Sequence, residues 1–481
     1  MILRPYQEEL VTKLGASLRA HRRSCLQSPT GSGKGTLIAH MIGKMAAAGH
    51  TVWLTAHRSE LIDQLSASLW EAGVSHGIIA AGRRETRDAV QVASVQTLVR
   101  RLSRLPPPRL LAIDEAHHST AASWRKVIDH CKDSWIVGLT ATPARTSGEG
   151  LDDIFNDLVP GPDVEWLIEQ GFLSPYVLYR PPGGEVDTSQ VHTRGGDWAT
   201  DELEALVDQS KIVGNAVDHY IKMVAPANCL VYTVSRKHAH DVAAAYRAAG
   251  VNARYCGGDT PADERKAIIA GFRRCYPAVV VSVDLFGEGL DIPGLKAVQM
   301  LRPTQSLILF LQQAGRCLRP EPGKDRAIIL DHVNNYSRFG LPCAAREWTL
   351  AGRKRRKGSI EQGPALRHCP ECFAVFRAIL GACPLCGWLP ETRERMPDVV
   401  DGQLQEVDKA AVAREKAWKR QEEGLVRSQE GFPGLVRLAM ERGYKTGWAA
   451  RRWSMATRKA LPQCFTEERE LRKQLKAVAH G

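Results

Sequence analysis

The chain has 481 residues and no long hydrophobic run. None of its apolar stretches approaches the roughly 18 residues that span a bilayer, so no membrane role is expected. The opening MILRPYQEEL shows no charged-then-apolar export pattern. Its twelve cysteines are too sparse for a disulfide scaffold. A reducing, cytoplasmic compartment is expected, in which clustered cysteines read as metal ligands. Internal repeats are also missing. Acidic residues are outnumbered, 53 against 65 Lys and Arg, for a net charge of +12. The deficit is local: residues 346–481 hold 27 basic and 17 acidic side chains, whereas residues 1–345 hold 38 and 36. A basic surplus confined to one end suits a polyanion such as nucleic acid. Solvated charged helices would explain the density of charge better than its sign.

Two segments alternate strand-like and helix-like runs. In the first, TVWLTAH, DAVQVASV, RLLAIDEAH and SWIVGLTAT read as buried parallel strands. In the second, NCLVYTVS, NARYCGG, AVVVSVDLF, KAVQMLRP and RAIILDH do the same. The expected architecture is α/β: two tandem parallel-sheet domains over residues 1–178 and 213–345, joined by a Gly- and Pro-rich linker, 179–212. A small cysteine module over 360–392 and a basic helical tail over 400–481 follow.

One further absence falls on a single residue. The stretch CLQSPTGSGKGTLIAH carries glycines and a lysine in phosphate-loop order, Thr30, Gly31, Ser32, Gly33, Lys34. Backbone N–H groups of such a loop cradle phosphates, and Lys34 would reach the β and γ phosphates of a nucleotide. The hydroxyl residue expected next, a Mg²⁺ ligand, is replaced by Gly35, and Thr36 arrives one position late. Water could fill the gap, since Mg²⁺ keeps several waters, or Thr36 could serve if the loop slid by one residue. About eighty residues on, LLAIDEAHHS places Asp114 and Glu115 at the end of an apolar strand. The first suits Mg²⁺ coordination and the second suits a base that orients water, which is what phosphoryl transfer needs.

With these residues in place, the chain resembles the DEAD/DEAH-box superfamily of helicases and nucleic-acid translocases, superfamily 2. Residues 114–117 spell Asp-Glu-Ala-His. LRPYQ resembles the family's adenine-reading element; TAHRSELIDQ and VASVQTL resemble its motifs Ia and Ib, and GLTATPAR its motif III. VVSVDLFGEGLDIP and QQAGRCLRP resemble motifs V and VI. The pattern is similar to phage and prophage helicases, the type III restriction motor and UvrB-like repair helicases. The resemblance implies two RecA-like domains with ATP and Mg²⁺ between them, in a bacterial or phage-infected cell. It implies that Gln7 reads the base and Asp291 meets the ribose. It puts Gln312 on the γ-phosphate side, with Arg316 and Arg319 as arginine fingers. His117, Thr140 and Thr142 would link nucleotide state to nucleic-acid grip. DNA is favoured over RNA on the same ground. An RNA helicase, a restriction-motor subunit (although no nuclease motif is evident) and a clamp that binds ATP without turnover stay open; only Gly35 favours the clamp.

HCPECFAVFRAILGACPLCGW holds Cys369, Cys372, Cys383 and Cys386 as two C-x₂-C pairs. Four thiolates so spaced suit a closed, structural Zn²⁺ site of zinc-ribbon type, with an iron–sulfur or redox site as the alternative. The basic run 353–357 could neutralise phosphates or be a solvated linker. Trp448 reads as core and Trp453 as core or base-stacking. This C-terminal region is where a replication, repair or restriction partner would bind.

Overall fold

The computed structural model describes residues 2–119, 121–144, 149–180, 188, 191–194, 197–207, 210–283, 292, 294–351, 365–390, 421, 424–425, 430–457 and 461–479. They form two compact units, residues 1–391 and 392–481.

The first unit carries two main sheets. Strands β1 (Arg23–Gln27), β2 (Val52–Ala56), β3 (Gly77–Ile79), β4 (Val90–Ser94), β5 (Leu110–Asp114), β6 (Trp135–Thr140) and β7 (Asp157–Pro160) make an all-parallel sheet in the order β3-β4-β2-β5-β6-β1-β7. Its strands are Val-, Ile-, Leu- and Ala-rich because helices cover both faces. Parallel order puts the carboxyl ends of β1, β5 and β6 on one edge, which is where ligands bind in such sheets. Gly138 lets the turn after β5 lie over β6. A Cβ there would come within 2.4 Å of Phe155 Cζ and 2.8 Å of Ala116 Cβ.

The second sheet is built from β8 (Tyr176–Tyr179), β11 (Cys229–Tyr232), β12 (Ala253–Tyr255), β13 (Val279–Ser282), β14 (Ala297–Met300), β15 (Ala327–Asp331), β16 (Leu366–His368) and β17 (Ala374–Arg377). Their order is β12-β13-β11-β14-β15-β8-β17-β16. Tyr176–Tyr179, read from sequence with the first segment, pairs with β15 and so belongs to this second sheet. Pairing partners lie some 150 residues apart in sequence, so no local pattern marks the strand. The cysteine hairpin β16–β17 is no separate body either: β17 pairs antiparallel with β8 and extends the sheet.

Part of the expected linker is anchored. Between the short strands β9 (Thr193–Arg194) and β10 (Asp197–Trp198) runs an antiparallel pairing. Asp197 is buried and accepts hydrogen bonds from Thr304 Oγ1 (2.8 Å) and the Gln305 amide (2.7 Å). Arg338 lies over the Trp198 ring at 4.3 Å. At the far end, the segment after the second domain returns to the first: Leu350 O accepts from the Leu151 and Asp152 amides at 2.7 and 3.2 Å.

In the second unit, helices Gly431–Glu441, Trp448–Thr457 and Leu461–Ala479 pack around Leu435, Val436, Ala439, Ala449, Ala450 and Cys464. Trp448 and Trp453 pack against this core, and Trp453 lies 5.6 Å from the Phe432 ring. Glu468 is fully buried and accepts from the Ala450 amide (2.8 Å) and Arg472 Nε (2.9 Å), which offsets its desolvation. The basic run 353–357 and residues 400–420 of the expected tail lie outside the described residues.

Candidate active site

The phosphate loop joins β1 to helix Lys34–Ala47. Gly31 and Gly33 adopt φ of +85° and +80°, a left-handed backbone that glycine takes without strain. Gln7 staples the loop to helix Pro5–His21. Its Oε1 accepts from the Arg4 amide at 3.0 Å, and its Nε2 donates to Ser32 O and Gly33 O at 3.2 and 3.3 Å. Tyr6 Oη donates to the same Ser32 carbonyl at 2.5 Å. Lys34 folds back onto the loop, donating to Ser28 O (2.9 Å) and Pro29 O (3.2 Å). Thr36 Oγ1 lies on the Gln7 side, 3.9 Å from the Cβ position of Gly33.

Asp114 ends β5, and Glu115 follows in a left-handed conformation, φ +49°. For a non-glycine residue that backbone is unusual and costs about 1–3 kcal/mol, which the surrounding fold must hold in place. Glu115 is buried, and its Oε2 makes no hydrogen bond among the described residues; His117 Nδ1 stands 3.4 Å from it. The same His117 nitrogen is 3.2 Å from Thr140 Oγ1. Thr140 Oγ1 in turn donates to Thr142 O (2.9 Å) and accepts from the Thr142 amide (3.1 Å). The four residues Glu115, His117, Thr140 and Thr142 therefore form one continuous polar path.

The second domain supplies helix Leu307–Gly315 and the turn after it. Gly315 presses on the phosphate loop: a Cβ there would lie 2.6 Å from Thr30 Cβ. The Arg319 stem and Leu173 pack on Gly31, at 3.3 and 3.0 Å from its Cβ position. Ser174 fixes the approach from the first domain, donating through its amide to Leu318 O (2.7 Å) and through Oγ to Arg319 O (3.1 Å). Gln312 is buried, and its Nε2 also makes no hydrogen bond among the described residues. Arg316 is 5 % exposed.

Burial sets the electrostatics. It drives the Lys34 pKa down from the usual lysine range, against the pull of Glu115 and Asp114, while Arg316 and Arg319 push it the same way as burial. Arg319 is brought down to about 10 by burial. Asp114 is pushed up to about 7, first by burial and then by Glu115, with Lys34 opposing. Loop, lysine, carboxylate pair and two arginines thus converge from both domains. That arrangement holds a polyphosphate and neutralises charge on it. Two buried polar atoms that make no hydrogen bond among the described residues, Glu115 Oε2 and Gln312 Nε2, suit the same ligand. Asp291 lies outside the described residues. Tyr6, Leu173, Ser174 and Gly315 were not singled out from sequence. Tyr6 and Gly315 sit inside quoted motifs; Leu173 and Ser174 carry no local signal.

Cys369, Cys372, Cys383 and Cys386 also converge, all four Sγ atoms lying within 4.8 Å of one another. Cys369 and Cys386 sulfurs are 3.5 Å apart, and Cys372 and Cys383 sulfurs 3.6 Å. Among the described residues no helix is long and apolar enough to cross a membrane.

Comparison with known proteins agrees with this geometry. The family model of the type III restriction enzyme res subunit matches residues 1–145, and that of the helicase conserved C-terminal domain matches residues 213–321. A 51.5 kDa protein of a Lactococcus phage is 33% identical over 364 residues, covering 75% of this chain and 77% of that protein. The putative ATP-dependent helicase IRC3 of Saccharomyces cerevisiae is 28% identical over 366 residues, covering 70% of this chain and 52% of the helicase. A fragment of a putative HsdR subunit of a type I restriction enzyme from Vibrio vulnificus shares the fold, with TM-score 0.58, 21% identity and coverage of 71% and 66%. The chain thus spans about half the yeast helicase and about two thirds of the HsdR fragment. It belongs to the superfamily 2 helicases, on the side related to restriction motors. It is an ATP-dependent nucleic-acid motor enzyme.

The state of Asp114 makes a testable point. An unfolded aspartate titrates at about 3.9, whereas the folded one holds its proton up to about 7. The stability this group contributes is therefore present below the unfolded pKa and is lost as pH rises through 7. Asp114→Asn should raise the melting temperature of the nucleotide-free protein at pH 8, with a gain that shrinks toward pH 4. An unchanged or lower melting temperature at pH 8 contradicts this electrostatic reading.

Proposed function

We propose that the chain couples ATP hydrolysis to movement along DNA or to separation of its strands. The observation that carries this is the contact of Thr30 with Gly315, which brings the arginine-bearing turn of the second domain onto the phosphate loop of the first. In this reading Lys34 and the loop N–H groups hold the β and γ phosphates, and Asp114 holds Mg²⁺. Bound Mg²⁺ would neutralise phosphate charge. Glu115 orients the attacking water, and Arg316 and Arg319 stabilise charge on the transferring phosphoryl group. Gln312 lies on the γ-phosphate side. Gln7, held by the loop carbonyls, reads the base, and Asp291 meets the ribose. The path from Glu115 through His117 to Thr140 and Thr142 carries the state of the site toward the nucleic-acid surface. Kinship with restriction and repair motors favours DNA over RNA as the track. Grip on phosphates rather than bases makes the motor indifferent to sequence.

Steady-state ATPase activity with Mg²⁺ tests this, alone and with single-stranded DNA, duplex DNA or RNA, with Lys34→Ala as the blank. Strong stimulation by DNA that disappears in Lys34→Ala is expected. Stimulation by RNA alone replaces the track. No turnover above the blank, despite ATP binding, leaves a clamp in place of a motor.

We further propose that the four cysteines hold one structural Zn²⁺. Tetrahedral Zn–S bonds of about 2.3 Å place sulfurs about 3.8 Å apart, close to the 3.5 and 3.6 Å found. The ion would lock the hairpin that finishes the second sheet. One zinc per chain by metal analysis is expected, with a lower melting temperature after chelation. Iron in its place, or no metal and no effect of chelator, contradicts the assignment.

A further inference from the structure

The second unit lies beyond both family matches, which end at residues 145 and 321. Its charge is segregated. From Arg442 to Lys459 the sequence has six basic residues and no acidic one. The acidic residues of 430–479 fall outside that stretch, at Glu430, Glu441, Glu467, Glu468 and Glu470. Structurally the stretch is the connection 442–447 and helix Trp448–Thr457. The connection is held firmly. A Cβ at Gly447, where φ is +102°, would come within 2.2 Å of Phe465 Cε1. Arg472 of helix Leu461–Ala479 donates to Tyr444 O and Lys445 O at 3.0 and 3.4 Å. The buried Glu468 holds Arg472 and also accepts from the Ala450 amide. A buried ion pair adds little net stability. This one orders the backbone on which Lys445 and Arg451 stand.

Lys445, Thr446 and Arg451 are exposed, and Arg452 is half-buried beside them. Among the described residues neither Lys445 nor Arg451 forms an ion pair; Glu430 and Glu468 are paired with Arg437 and Arg472 instead. The aromatic rings of the stretch are engaged within the unit. Trp453 lies 5.6 Å from the Phe432 ring and packs over Gly431, and Trp448 lies 4.6 Å from the Tyr444 ring. Both tryptophans and Tyr444 pack against the unit's core. Rings so engaged make a poor stacking platform for a single strand. Cations on a short helix suit a duplex, whose major groove admits a helix. We propose that this turn and helix form a second DNA-binding surface, which takes the backbone of a duplex through Lys445 and Arg451. The two stand about 10 Å apart along the chain, against one duplex charge per roughly 1.7 Å. The surface is independent of the nucleotide site and of the track the motor follows.

Binding of the full chain to a labelled DNA duplex, without nucleotide and over a range of salt, tests the assignment. Lys445→Gln with Arg451→Gln should weaken binding about tenfold or more at 0.1 M salt and make the slope of log affinity against log salt shallower by about two. The melting temperature should not move, since both side chains are exposed. Lys445→Arg with Arg451→Lys, which keeps both charges, should bind like the unsubstituted chain. Arg469→Gln with Lys473→Gln removes the same charge from exposed positions on helix Leu461–Ala479 and should change little. An unchanged slope in the first pair overturns the proposal and leaves the face to an acidic protein partner. An equal fall in the Arg469 and Lys473 pair also overturns it, because net charge alone is then responsible. So does a loss confined to single-stranded DNA. Failure of the motor reading is read elsewhere, in nucleic-acid-stimulated ATP turnover, and leaves this result standing.

Discussion

The contact on which the rest of the site depends is a steric one. Thr30 of the phosphate loop lies against Gly315, and a single added methyl at 315 would come within 2.6 Å of it. Because nothing projects from residue 315, the helix that ends there can lie on the loop, and the two arginines that follow one and four positions later are drawn into the cleft. Arg316 becomes buried, and the Arg319 stem packs on Gly31. Burying cations costs free energy unless opposite charge is near. Asp114 and Glu115 supply part of that charge, and a bound polyphosphate would supply more. The site is thus arranged so that ligand charge, rather than protein contacts alone, stabilises closure.

A second constraint follows from the first sheet. β5 and β6 are neighbours, so the carboxylate pair at the end of one stands beside the threonines that end and follow the other. His117 bridges them, within 3.4 Å of Glu115 and 3.2 Å of Thr140. Gly138 makes this possible by leaving room for Ala116 above the strand. The left-handed backbone at Glu115 is the cost of aiming that carboxylate, and it is found where the chemistry would need it. Chemistry and coupling therefore share one short chain of side chains.

Much of this was legible in the sequence because it is local. Buried parallel strands write themselves as Val, Ile and Leu runs, and the loop glycines, the Asp-Glu pair and the paired cysteines each sit within a few residues of one another. What the sequence hid is non-local. Tyr176–Tyr179 joins the second sheet through β15, and the cysteine hairpin joins it through Tyr176–Tyr179 in turn. Asp197 looked like linker, yet it is held by Thr304 and Gln305. Leu173 and Ser174 reach the site from 140 residues beyond the loop with no motif of their own. Asp291 and the basic run 353–357 remain sequence readings.

The central claim is that the site is complete only when both domains contribute to it. Arg316→Ala tests that claim most directly, with nucleotide binding and single-turnover phosphate release measured side by side in the presence of single-stranded DNA. The account predicts that ATP still binds while phosphate release falls by about a thousandfold or more. Release within a few fold of the unsubstituted chain would contradict it, and would place the whole of the chemistry in the first domain.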